Sequence, residues 1–178
     1  MKALISLLAG GLGLLLLLCL VGMVLPDSTH VERSIDVAAP KTHVFDTLNG
    51  FARFNEWSPW FETDPKAQYT LSGPATGIGA KQAWISQDLG SGSQEIIDIE
   101  GNELIKMRLD FGDQGKAEAL YRLQALDEGH TRITWAFDSH AEGNLPARYF
   151  NLAMERLVGG DYEKGLAKLK RVLERPAP

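Results

Sequence analysis

The sequence predicts an α+β fold in which a curved antiparallel sheet wraps around one long C-terminal helix and is preceded by one transmembrane helix. Three observations lead to this prediction: an apolar run over residues 3–25, strand-like alternations in the middle of the chain, and an amphipathic stripe over residues 145–174. We therefore expect a transmembrane anchor over residues 1–26 and one folded domain over residues 27–178. The domain has the size at which one hydrophobic core is usual.

The N-terminal run from Ala3 to Leu25 is apolar or glycine apart from Ser6. As a helix it would span roughly 35 Å, against about 30 Å for the hydrocarbon layer of a bilayer, so we expect a single-pass anchor in the membrane. A cleaved signal peptide is the alternative, but its apolar stretch is normally shorter and is followed by a small-x-small cleavage site. Lys2 before the run and Asp27 after it indicate that the domain lies on the non-cytoplasmic side.

The charge and the single cysteine exclude several classes of function. The chain carries a formal net charge of −5 at pH 7, and an acidic domain of this kind argues against nucleic acid as a partner. Cys19 is the only cysteine, so the domain forms no internal disulfide and no cysteine-based zinc site. A lipid anchor at Cys19 is a further alternative, although Leu18 is large where lipoprotein signals have a small residue.

The sequence shows no signature of a metal or catalytic centre. The glycines at 73, 77 and 79 are not followed by a Lys-Ser/Thr pair, which favours a tight strand connection over a phosphate site. We predict no cofactor, no metal site and no catalytic residue. None of the spacings typical of metal ligands relates the four histidines, which are His30, His43, His130 and His140.

The elements of the domain follow one another without a long linker. Residues 29–37 alternate as a strand, and Pro40 opens a short helix that ends near Asn49. Two further strands flank a glycine-rich turn, and Asn144 is the expected cap of the terminal helix. The strands between form a meander whose buried face we expect to carry Glu95, Ile97 and Ile99; Ile105, Met107, Leu109 and Phe111; Ala117, Ala119, Tyr121, Leu123 and Ala125; and Ile133, Trp135 and Phe137.

Several short segments give the domain a family resemblance from about His30 to Glu174. It resembles the START-like, helix-grip superfamily, in particular the polyketide cyclase/dehydrase branch of the SRPBCC proteins. This resemblance implies a cavity between the curved sheet and the terminal helix, which holds hydrophobic compounds in some members and performs cyclisation or hydration in a few. The segments that carry it are Val37-Ala-Ala-Pro40, Trp57-Ser-Pro-Trp60, Gly73-Pro74 before Trp84, His130-Thr-Arg-Ile-Thr-Trp135 and the helix end from Asp161 to Lys170.

Aromatic and methionine side chains are the natural lining of such a cavity. We expect the terminal helix to pack over the sheet, with a kink or a close approach at Gly159 and Gly160 and with part of the space left open there. The predicted ligand-cavity residues are Trp57, Trp60, Trp84, Met107, Phe111, Tyr121, Trp135, Phe150, Met154 and Leu157.

The resulting hypothesis is a membrane-tethered, non-catalytic domain that binds a hydrophobic small molecule or lipid. The first alternative is a polyketide cyclase/dehydratase-like enzyme using the same cavity, in which a buried acid such as Glu95 beside Tyr121 would polarise a carbonyl. The second is a tethered scaffold that recruits a protein. An open apolar cavity favours binding, a perturbed buried acid favours the enzyme, and a filled core with an exposed apolar patch favours the scaffold.

Overall fold

The computed structural model describes the backbone of residues 2–141 and 143–175, with side chains from Gly10 onward except at residues 150 and 153. Helix α1 (Lys2–Val24) precedes the domain, which begins with β1 (Ser28–Val37) and α2 (Lys41–Leu48). Six further strands follow, and the domain ends in α3 (Leu145–Leu173). The predicted order of elements is confirmed.

One antiparallel sheet contains seven strands in the order β1-β7-β6-β5-β4-β3-β2. The six later strands form successive hairpins, and β1 closes the sheet by pairing with the last of them. Here the face that α3 covers is called the inner face. This is the predicted helix-grip arrangement. The six strands are β2 (Gln68–Ser72), β3 (Lys81–Ile85), β4 (Ser91–Glu100), β5 (Leu104–Asp110), β6 (Lys116–Ala125) and β7 (Thr131–His140).

Strand β4 departs from the predicted alternation. A β-bulge after Ile96 shifts its register against β5, and the buried residues of β4 are Gln94 and Ile96. Glu95 therefore lies on the outer face, where its carboxylate is 4.0 Å from the Lys81 ammonium group. The prediction that Glu95 faces the core is wrong, because a period-two pattern does not decide which of the adjacent Ile96 and Ile97 points inward.

Helix α3 packs along β1, and two glycines let the elements approach closely. An added Cβ at Gly159 would collide with the guanidinium group of Arg33, which reaches the helix from the inner face of β1. That group donates hydrogen bonds to Glu155 (2.9 Å) and Glu163 (2.7 Å). At Gly165 an added Cβ would be 2.9 Å from the indole ring of Trp135. The close approach predicted at Gly159 is thus present.

The buried stripe of α3 excludes one residue that the sequence placed in it. Tyr162 and Leu166 are buried, and Val158 and Met154 pack against the core about one and two turns before Tyr162. Leu157 precedes Val158 by one residue, which turns it about 100° around the helix, and its side chain is 54% exposed. The prediction that Leu157 lines the space under the helix is therefore wrong. The prediction for Phe150 falls on a side chain outside those described.

The end of α1 is joined to the start of α3. Arg148 donates to the carbonyl oxygens of Met23 (3.1 Å) and Leu25 (3.2 Å) and pairs with Asp27 at 3.0 Å. The Tyr149 hydroxyl donates to the carbonyl oxygen of Leu18. The bonds from Arg148 satisfy carbonyl groups at the C-terminal end of α1, where the helix leaves them without partners. Over the side chains that the structure describes, no helix is both long and apolar enough to cross a membrane.

Candidate ligand-binding site on the inner face

An aromatic cluster fills the inner face of β1, β7 and β6, which we call the closed half. The rings of Trp135 and Tyr162 stack with their centroids 3.8 Å apart, which joins the sheet to α3. Trp57 meets Trp135 edge to face at 5.4 Å and Tyr121 at 6.1 Å, and Trp60 meets Trp135 at 5.8 Å. All of these side chains except that of Trp60 are almost completely buried. Stacked and edge-to-face rings at these distances are packed core, not an open cavity.

The cluster buries polar atoms that have no protein partner among the described residues. These atoms are the indole nitrogens of Trp57 and Trp135 and the hydroxyl oxygen of Tyr121. Burial raises the pKa of Tyr121 and also of Tyr162, so both phenols stay neutral at physiological pH. The closed half can therefore donate hydrogen bonds, but it contains no phenolate that would act as a base.

The inner face of β2, β3, β4 and the end of β5 is here called the open half. A strip of partly exposed aromatic side chains crosses it. The rings of Phe61 and Tyr69 are 5.8 Å apart, and those of Trp84 and Phe111 are 6.1 Å apart. Tyr69 and Trp84 are directly paired across β2 and β3, so the four rings form one strip. Leu71 continues the strip along β2 and is 54% exposed. An exposed apolar surface of this kind is a candidate binding region.

A glycine brings the strip close to the sheet. Gly92 is the direct partner of Trp84 across β3 and β4. An added Cβ at Gly92 would be 2.5 Å from the indole ring, which therefore lies close to the β4 backbone at this position. A larger residue here would displace the ring and change the strip.

Two buried amide side chains lie beside the aromatic strip. Gln82 and Gln94 face each other across β3 and β4, and the Gln94 amide nitrogen donates to the Gln82 carbonyl oxygen at 2.8 Å. They are only 1% and 7% exposed. Gln82 also donates a long hydrogen bond, 3.5 Å, to Asn55 in the segment that covers the sheet. The inner face of the open half thus combines aromatic rings with a small row of neutral polar groups.

A charged group near the open half, the carboxylate of Asp64, is held in structural contacts. The buried carboxylate of Asp64 accepts hydrogen bonds from the Ser86 hydroxyl (2.6 Å) and from the Lys66 amide nitrogen (2.9 Å), and these bonds lower its pKa. It is therefore an ion at physiological pH and is no proton donor. Burial and the charge of Asp64 raise the pKa of Tyr69. The acid predicted to sit beside Tyr121, Glu95, is on the other face.

Two open depressions of the surface lie away from the inner face. One, of about 470 Å³, separates α3 from the segment around Glu62, whose carboxylate pairs with Lys168 at 2.6 Å. The other, of about 520 Å³, surrounds the pair of Asp36 and Arg132. Both are lined by ion-paired side chains, which suits water better than a hydrophobic compound.

The predicted cavity residues thus separate into two groups. Trp57, Trp60, Tyr121, Trp135 and the buried Met107 belong to the packed core. Trp84 and Phe111 belong to the open strip, and Met154 is partly buried on α3. Sequence reasoning missed Phe61, Tyr69, Gln82 and Gln94; the alternation in Lys81–Ile85 places Gln82 and Trp84 on one face, and that signal could have found the first amide.

The fold and the inner face define a helix-grip domain, and comparison with known families identifies which one. Residues 28–174 match the family described as polyketide cyclase / dehydrase and lipid transport. The chain belongs to this family. No curated protein matches the chain.

Solved structures show the same fold at low sequence identity. The ZhuI aromatase/cyclase from Streptomyces sp. R1128 is 18% identical, with a TM-score of 0.61 over 83% of this chain and 94% of that one. Norcoclaurine synthase from Thalictrum flavum, in complex with dopamine and hydroxybenzaldehyde, is 13% identical, with a TM-score of 0.60 over 85% of this chain and 90% of that one. A protein from Thermobifida fusca is 18% identical, with a TM-score of 0.61 over 84% of this chain and 97% of that one.

Proposed function

We propose that the domain binds a hydrophobic small molecule or lipid on the open half of its inner face and does not transform it. The observation that carries the proposal is the partly exposed strip of Phe61, Tyr69, Trp84 and Phe111. Aromatic rings gain free energy when an apolar compound covers them. The family's description, which includes lipid transport, agrees with a binding role. The proposal has no catalytic step because the nearby carboxylate of Asp64 is held as a structural ion.

The test uses two neighbouring residues on opposite faces of β3. Trp84→Asp places a charge on the strip, whereas Ile85→Asp places the same charge on the outer face, where Ile85 is 65% exposed. Compounds that copurify with the full chain are extracted and quantified by mass spectrometry. We expect one hydrophobic compound in the wild type and in Ile85→Asp, and its loss in folded Trp84→Asp. Equal amounts of every compound in both variants would reject the site.

The enzymatic alternative rests on one observation, the buried Tyr121 hydroxyl without a protein partner in the described structure. A hydrogen-bond donor inside the fold would stabilise a carbonyl oxygen as its negative charge develops. Dehydration of 4-hydroxy-4-phenyl-2-butanone, followed by the absorbance of the enone, tests this function. A rate above background that falls about 100-fold in Tyr121→Phe would favour the enzyme over the binding domain.

We also propose that α1 anchors the chain in a membrane and that the domain lies on the non-cytoplasmic side. The support is the length of α1, 23 residues, the apolar run in the sequence and the exposure of its leucines. Resistance of the full chain to alkaline carbonate extraction is the expected result. An N-terminus beginning near Asp27 in the mature protein would instead indicate a cleaved signal peptide, and activity of a cytoplasm-specific reporter fused after Pro178 would reverse the orientation.

A further inference from the structure

The amide pair of the open half is an unusual element on a surface that is otherwise apolar. Gln94 lies between Gln82 and Leu109 in one row across the sheet, and Leu71 follows Gln82 in the same row. The next row contains Trp84. Burying two primary amides among such neighbours has a free-energy cost that their mutual hydrogen bond offsets only in part.

The pair has hydrogen-bonding capacity to spare. Each glutamine amide offers two N–H groups and a carbonyl oxygen with two lone pairs. In the described structure the Gln94 carbonyl oxygen accepts no hydrogen bond, and the bond from Gln82 to Asn55 is long, at 3.5 Å. Both a donor and an acceptor are therefore available beside the ring of Trp84. Buried amides so placed suit recognition of one polar group on an otherwise apolar molecule.

The charges around the site favour a neutral group over an anion. Asp64 is buried and ionised, and it lies close enough to Tyr69 for its negative charge to influence that phenol. Lys81 and Glu95 are on the outer face and pair with each other there. A negatively charged substituent would be repelled by Asp64 and would find no cation among the described side chains of the strip.

We propose that Gln82 and Gln94 select a planar aromatic ligand with an uncharged hydrogen-bonding substituent, such as a hydroxyl group, whose ring lies on Trp84 and Phe111. This inference rests on the proposed binding function and makes it specific. Aromatic rings favour planar partners because offset and edge-to-face contacts add to the apolar area that is buried. The amide pair distinguishes such a ligand from a plain hydrocarbon, because a hydroxyl group can donate to the Gln94 carbonyl oxygen and a hydrocarbon cannot.

The test compares three naphthalene probes that differ in one substituent: 2-naphthol, 2-methylnaphthalene and 2-naphthoate. Binding to the full chain in lipid nanodiscs is measured by equilibrium dialysis, and binding to empty nanodiscs is subtracted. The variant is the double substitution Gln82→Met with Gln94→Met, which removes both partners together and so leaves neither amide without the other. The control is Gln68→Met, an exposed glutamine on the outer face of β2.

We expect the wild type and Gln68→Met to bind 2-naphthol at least as tightly as the more hydrophobic 2-methylnaphthalene, and 2-naphthoate more weakly. The double variant should lose about tenfold in affinity for 2-naphthol and less than about twofold for 2-methylnaphthalene, since it removes hydrogen bonds but keeps the apolar area. If the double variant does not unfold cooperatively, its binding data are set aside. The preference of the wild type between the two neutral probes then tests the inference without a substitution.

Two results would overturn the inference in different ways. If the wild type binds both neutral probes but prefers 2-methylnaphthalene, or if the folded double variant keeps its full affinity for 2-naphthol, the amide pair selects nothing and the binding function stands. If the wild type binds no probe above empty nanodiscs, the proposed binding function fails together with the selectivity.

Discussion

The two halves of the inner face show opposite solutions to covering one sheet. In the closed half, Gly159 lets α3 approach Arg33 of β1 and Gly165 lets it approach Trp135 of β7, whose ring stacks on Tyr162. In the open half no long helix of the described structure covers the strip, and rings such as Trp84 remain partly exposed. One helix cannot cover a wide sheet, so the part that it leaves open is the part available to a ligand. Under the proposed binding function, the ligand therefore lies away from the densest cluster of tryptophans.

The largest test of this comparison removes one tryptophan from each half. Trp135→Ala should lower the free energy of unfolding by about 3–5 kcal/mol, because the indole ring is buried against Trp57 and Tyr162 and leaves a cavity. Trp84→Ala should cost less than about half of that, because water already reaches the ring. Urea unfolding of both variants measures the difference. Equal losses would mean that the strip is core and that the distinction between the halves is false.

The second test uses two glycines five residues apart on α3. Gly165→Ala should destabilise the domain by about 1–3 kcal/mol, the usual range for overpacking, because the new methyl group meets the rigid rings of Trp135 and Pro59 at 2.9 and 3.1 Å. Gly160→Ala meets no atom within 4 Å and should stabilise the helix by up to about 1 kcal/mol.

Thermal unfolding of the two variants should therefore shift in opposite directions. A stabilising Gly165→Ala would show that α3 can move away from the sheet at little cost. The closed half would then be able to open for a ligand, and the comparison would lose its basis.

The third test concerns the polar atoms inside the closed half. Tyr121→Phe should raise the free energy of unfolding by about 1 kcal/mol, because it removes a buried hydroxyl that has no protein partner among the described residues. Tyr149→Phe is the control with the opposite sign, since its hydroxyl donates to the Leu18 carbonyl group. Destabilisation by Tyr121→Phe would show that the hydroxyl has a hydrogen-bonding partner, and the enzymatic alternative would lose the observation on which it rests.

The element order could be predicted from the sequence because its signals are local. Alternation at period two marks β5, β6 and β7, and Asn144 caps α3 as expected by accepting from the Ala147 amide nitrogen at 3.3 Å. Leu157 was misplaced because its spacing from Met154 fits a helical stripe. Only the packing of α3 on β1 decides which side of that stripe is buried.

The candidate site could be predicted only in part, because its polar members read as solvent-facing residues. Gln82 and Gln94 are polar, so a hydrophobic alternation assigns them to the solvent-facing side of their strands. In β4, next to the bulge, this assignment places Glu95 on the buried face in place of Gln94. The two glutamines are twelve residues apart in the chain, and their contact depends on the pairing of β3 with β4. Trp84 and Phe111 were recognised as lining residues, but aromatic composition did not distinguish an open strip from a packed cluster such as that of Trp57 and Trp135.

The smallest expected effect comes from an ion pair on the outer face. It tests whether such pairs contribute to the difference between the closed and the open half. The His30 ring bonds to Asp138 at 2.7 Å across β1 and β7, and this bond, with the charge of Glu32, raises the pKa of His30. Because the pKa is higher in the folded than in the unfolded state, protonation favours folding. The contribution is fully present below the unfolded pKa of about 6.5 and is lost as the pH rises through the folded pKa.

His30→Gln should therefore lower the free energy of unfolding at pH 5.5 and leave it nearly unchanged at pH 8.5. The side chains of His30 and Asp138 are 56% and 39% exposed, so the loss should be at most about 0.5 kcal/mol and should shrink in 1 M salt. His43→Gln, on the exposed side of α2, is the control for replacing a histidine outside the pair with Asp138. A loss of unfolding free energy above about 2 kcal/mol, or one that grows with pH, would mean that the outer face also stabilises the closed half. The packing of the inner face alone would then not explain why the two halves differ.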